Sequence, residues 1–98
     1  MKINAKDVME LHAIYQTRME YSKAYMDNVR ENDAFAELSA TKAEEMDAVI
    51  EEKIIELSER NEPIAVFFVN RIMQAIAHLS ISRIFKVLEV CGVETYEN

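Results

Sequence analysis

Arg18 sits among three tyrosines, Tyr15, Tyr21 and Tyr25, with Ser22 four residues after it. At about 100° per residue these side chains gather toward one side of a helix. A guanidinium beside phenol rings can hold an anionic or planar group by charge-assisted hydrogen bonds and stacking. Tyr15, Arg18, Tyr21 and Tyr25 are therefore a candidate ligand-binding set for an anionic or nucleotide-like molecule, held in a pocket between helices or subunits. An ordinary structural role competes with this one: Arg18 pairs with a glutamate of the next helix while its stem covers apolar surface.

The second chemical feature is a block of carboxylates. Residues 33–62 hold ten acids against Lys42, Lys53 and Arg60, so this segment carries the whole net charge of −7. Glu37, Glu44, Glu51 and Glu59 recur nearly every two helical turns, with Glu45 and Glu52 beside them. Carboxylates spaced along a rigid rod imitate a phosphate ladder and suit a basic groove on another protein. Glu37, Glu44, Glu45, Glu51, Glu52 and Glu59 are the candidate partner-binding face. A solubilising surface is the plainer role for the same residues. Direct nucleic-acid binding is disfavoured, because outside this segment the charges balance to zero and leave no basic excess to track phosphates.

Catalytic patterns are missing. His12 and His78 are the only histidines, and neither has a metal-ligating neighbour three or four positions away. The sole cysteine, Cys91, has no histidine near it in sequence and reads as a small core residue. A single glycine rules out a glycine-rich phosphate loop. No enzymatic activity, metal or cofactor is expected. With one cysteine and no leader-like N-terminal segment, a cytoplasmic location is expected.

The elements that would position these groups are helices. One Gly and one Pro in 98 residues leave too little turn punctuation for a sheet protein. A single all-α domain, 1–98, is expected. Its first helix spans about 5–30, with Asn4 as N-cap and Asp7 in the first turn. The second spans about 34–60, capped by Asp33, or by Thr41 if residues 34–40 stand apart as a short helix. Asn61-Glu62-Pro63 breaks the chain and restarts it. Gly92 is suited to a Schellman ending in which Val93 packs back on Leu88, and 94–98 form a short polar tail.

The third helix, 63–91, is the most apolar part: 19 of the 28 residues from Ile64 to Cys91 are hydrophobic. Asn70, Arg71, Gln74, His78, Ser82, Lys86 and Glu89 share a polar arc that also holds Phe67 and Phe85. Arg83 interrupts the apolar side, where a buried cation would need a partner. Arg71 and Arg83 also interrupt any membrane-spanning run, so no span is expected. A long antiparallel helical hairpin plus this helix presents more apolar surface than one layer covers. A helical-bundle homo-oligomer follows, with Phe67, Phe68, Ile72, Ile76, Leu79, Arg83 and Phe85 at its interface. The functional expectation is a small acidic interaction or regulatory protein that inhibits or regulates a partner with a basic surface. The alternative is the Arg/Tyr ligand binder.

Overall fold

The computed structural model describes residues 1–97. Helices dominate, as the composition predicts. They are α1 (Ala5–Asn28), α2 (Asp33–Arg60), α3 (Pro63–Ile76) and α4 (Ile81–Val90), flanked by two short strands, β1 (Lys2–Asn4) and β2 (Glu94–Tyr96).

Local chemistry sets the helix ends. Asn4 holds extended backbone and its side chain accepts the Lys6 N–H at 2.8 Å, which starts α1. Asn32, not Asp33, caps α2, accepting the Phe35 N–H at 3.1 Å. Thr41 caps nothing: its hydroxyl bonds the Glu37 carbonyl inside a continuous α2, so residues 34–40 are no separate helix. Pro63 opens α3, where its missing N–H costs no helical bond. Gly92 follows α4 at φ 82°, and the Val93 N–H reaches back to the Leu88 carbonyl at 2.9 Å. This is the expected Schellman ending.

The segment 63–91 is not one helix. In a continuous helix the Leu79 carbonyl would accept the Arg83 N–H. Instead it accepts His12 Nε2–H of α1 at 2.8 Å, and the Arg83 N–H turns to Ser80, which caps α4. The break re-aims everything after it. Arg83 lies exposed on α4 rather than interrupting a buried face, and Cys91 is exposed rather than in the core.

The expected polar tail is also wrong as far as Tyr96. Residues Glu94–Tyr96 form β2, which pairs in parallel with β1 in the register Lys2↔Glu94, Ile3↔Thr95 and Asn4↔Tyr96. The other edge of β1 is closed by side chains: the Lys2 N–H donates to Glu62 and the Asn4 N–H to Asn61, at 3.0 and 2.9 Å.

The core sits at one end of the molecule, whose extents are 46 × 25 × 20 Å. It joins Val8, Leu11 and Tyr15 of α1 with Ile50 and Leu57 of α2, Val66, Val69 and Met73 of α3, Ile84 and Leu88 of α4, and Ile3 and Val93. This end is termed the base. Beyond Tyr15 and Ile50, α1 and α2 continue together as an arm in which α2 buries only small residues, Ala36, Ser39 and Ala43. Ion pairs between the two helices fall in reverse order along them, Asp7–Arg60, Glu10–Lys53 and Arg18–Asp47.

Candidate functional site

A cleft of about 990 Å³ opens where α1, α2 and α3 meet, between base and arm. Ile50, Ile54, Met73 and Ala77 give it apolar lining, while Tyr15, Arg18, Asp47, Asn70, Gln74 and His78 supply polar groups. Of the polar arc anticipated for 63–91, α3 brings only Asn70 and Gln74 to the cleft, and His78 joins from the turn after it. The Tyr15 hydroxyl donates to Asn70 Oδ1 at 2.5 Å, and burial raises its pKa.

The Arg/Tyr set is only partly assembled. Tyr15 and Arg18 line the cleft; Tyr21 and Tyr25 do not. Arg18 is already engaged: its Nε donates to Asp47 Oδ1 at 2.5 Å, Nη2 to Oδ2 at 3.4 Å, and Nη1 to Ser22 at 3.3 Å. The Asp47 carboxylate raises the Arg18 pKa, so the cation and its counter-ion are one unit. The expected pairing with α2 is present, made by an aspartate rather than a glutamate. A ligand anion would have to compete with Asp47.

The acidic face is laid out as spaced. Glu37, Glu44, Glu45, Glu51, Glu52 and Glu59 are all exposed. The seven-residue spacing sorts them into two lines along α2: Glu37, Glu44 and Glu51, the last lining the cleft, and Glu45, Glu52 and Glu59 on the adjoining flank. Lys42 pairs with Glu45 at 3.2 Å. Among the described residues the other five carboxylates have no ion-pair partner.

The interface residues separate into two groups. Ile72, Ile76, Leu79 and Phe85 are half-buried against the chain's own core. Phe67 and Phe68 stay exposed, beside an exposed Ile64 on α3.

The main polar cluster lies elsewhere and escaped sequence reasoning. Asp7, buried on α1, accepts Arg60 Nη2–H at 2.8 Å and Asn61 Nδ2–H at 2.8 Å, and Arg60 Nη1 reaches Glu56 at 2.9 Å. The Arg60 bonds hold the Asp7 carboxyl below its ordinary range, against the desolvation that raises it, and Asp7 in turn raises Arg60. Tyr96 of β2 joins by donating to Asn61 Oδ1 at 3.3 Å. Asp7 and Asn61 were visible as a first-turn acid and a breaker, but no local pattern links positions so far apart. The network ties β1, α1, α2 and β2 together; every polar group in it is matched.

Among the described residues, no group of three or more His, Cys, Asp or Glu side chains is placed to hold a metal ion, and no helix is long and apolar enough to cross a membrane. No family model, curated protein or solved structure matches the chain.

Proposed function

We propose that this is a small acidic, non-enzymatic interaction protein that regulates or inhibits a partner of basic surface through the carboxylate face of α2. The supporting observation is the display of Glu37, Glu44, Glu51, Glu52 and Glu59, exposed and, among the described residues, without ion-pair partners on one long helix. On this reading α1 and α2 form an antiparallel hairpin, favoured by the reverse order of their ion pairs, and the hairpin holds the carboxylates at fixed intervals. Screening would weaken such a contact steeply with salt. The test is affinity capture from the native host with two baits, the wild-type chain and Glu44→Lys/Glu51→Lys/Glu52→Lys. A basic protein retained by the first and lost by the second supports the reading; identical captures overturn it.

The cleft favours a second reading, a small-ligand binder at Tyr15 and Arg18. It predicts that Arg18→Ala abolishes capture of a small molecule while the charge-reversed chain keeps it. A homo-oligomer joined through the outer side of α3 is a further part of the proposal, supported by the exposed Ile64, Phe67 and Phe68. Light scattering at micromolar concentration checks it: a monomer mass would remove this part.

A further inference from the structure

The face of α1 that enters the core does not stop where the core stops. Val8, Leu11, Tyr15, Met19, Ser22 and Met26 follow one another at intervals of three and four residues, which keeps them on one side of a helix. The first three are buried. Met19 and Met26 are 36% and 68% exposed. On α2 the line Leu57, Ile50, Ala43 and Ala36 continues in the same way, from large side chains at the base to small ones in the arm. So past the base the groove between α1 and α2 is a shallow trough: Met19 and Met26 of α1 are exposed along it, while Ala36 and Ala43 of α2 are buried, too small to rise beside them.

What fits the trough is constrained by its rim. At about 100° per residue, Glu37, Glu44 and Glu51 lie on the flank of α2 that also carries Asp47 and Ile54, the flank turned to the cleft. These three carboxylates have no ion-pair partner among the described residues. Across the groove the edge is mixed: α1 presents Lys23 and Asp27, and Arg30 lies in the turn that follows it. The charge is therefore one-sided. A second copy of this chain would bring its own excess of carboxylates to the same place. The length is bounded too: residues 18–28 of α1 extend about 16 Å and residues 33–47 of α2 about 22 Å.

We propose that this trough takes a cationic amphipathic helix of about three to four turns from the partner, its apolar side on Met19 and Met26 and its lysines or arginines, seven residues apart, facing Glu37, Glu44 and Glu51. Methionines suit the task because their unbranched, polarisable side chains adapt to different apolar contours. The inference rests on the proposed interaction function and narrows it to one face of the arm.

The experiment uses the full chain and two synthetic helical peptides of about 15 residues, matched to the trough length. They share one leucine face and carry either lysines or glutamates at seven-residue spacing. Amide shifts and fluorescence anisotropy are read for each. The lysine peptide is expected to bind, to shift residues around Met19, Met26 and Glu44, and to lose affinity with salt. Met19→Glu/Met26→Glu is expected to weaken it by at least about tenfold, since each methionine forfeits apolar burial. Glu37→Lys/Glu44→Lys/Glu51→Lys should weaken it as much; circular dichroism confirms that both variants keep their helices. Equal binding of the glutamate peptide, shifts confined to Phe35 and Leu38 or to Phe67 and Phe68, or no binding at all would overturn the proposal. So would a wild-type dimer that Met26→Glu converts to monomer, because the occupant is then a second copy. If the peptide fails while captured host partners still depend on Glu44, Glu51 and Glu52, the trough falls and the interaction function stands.

Discussion

The base and the arm are made from the same two helices, yet they are held by different chemistry. At the base α1 and α2 meet α3, α4 and the strand pair, and the contacts are fully buried large side chains such as Leu11, Leu57, Met73 and Leu88, locked on the outside by Asp7, Arg60 and Asn61. In the arm no other described element covers the pair, and α2 buries only Ala36, Ser39 and Ala43. Small residues let two helices approach closely but remove little apolar area from water. Meanwhile Met26, Phe35 and Leu38 remain 68%, 47% and 54% exposed. Two helices alone seldom hold together in water without tertiary support. The contrast teaches that buried apolar contact, and with it stability, is concentrated at one end, while the other leaves large apolar side chains exposed.

Substitutions of decreasing severity test that division. Leu57→Ala empties a fully buried site and should cost about 3 kcal/mol, seen as a lower denaturant midpoint with loss of all helices together. Survival of the base without the arm, or the reverse, would show that the two are separate folding units. Asp7→Ala should cost about 2 kcal/mol, because it removes charge-assisted bonds from Arg60 and Asn61. It also carries a pH signature. The Asp7 pKa is lowered in the fold, so its contribution is present above the unfolded aspartate value of about 3.9 and disappears as pH falls through the lower folded value. Wild type should therefore lose stability in that acid window, and Asp7→Ala should lose less. Parallel acid titrations of the two would refute the role given to this carboxyl.

Smaller effects belong to the arm. Ala36→Gly should cost about 1 kcal/mol from helix propensity, and hydrogen exchange should show it as faster exchange around residues 18–45 with the base unchanged. Uniform protection along α1 in the wild-type chain would erase the distinction between the two ends. Arg18→Ala should change stability by no more than about 0.5 kcal/mol, because the Arg18–Asp47 pair is 37% and 53% exposed and well screened. A larger loss on thermal unfolding would make the cleft part of the base.

Much of this was legible in the residues. Asn4, Pro63 and Gly92 mark helix ends through local backbone chemistry, and local chemistry is what a sequence carries. The carboxylate lines of α2 follow from spacing alone. The break at Ser80 was half hidden: Ser80 caps α4 by local chemistry, but the Leu79 carbonyl that the break frees is satisfied from another helix, by His12. β2 was hidden for the same reason, since Glu94–Tyr96 becomes a strand only by meeting Lys2–Asn4. The Arg18 site was half legible. Spacing put Tyr15 beside it, but only the folded pair shows Asp47 holding the guanidinium while Tyr21 and Tyr25 stay outside the cleft.

The strand pair bears on time as well as shape. Lys2 and Glu94 are adjacent in space and almost the whole described chain apart in sequence, so their pairing closes the longest loop in the molecule. The contacts within and between α1 and α2 span far shorter loops and can form while later residues are still being synthesised. Until Glu94–Tyr96 emerges from the ribosome, the side of β1 that β2 will cover has no partner. On loop-closure grounds the parallel ribbon should be the last element to close, and a chain halted before it would carry an open strand edge, ready to pair with a neighbour.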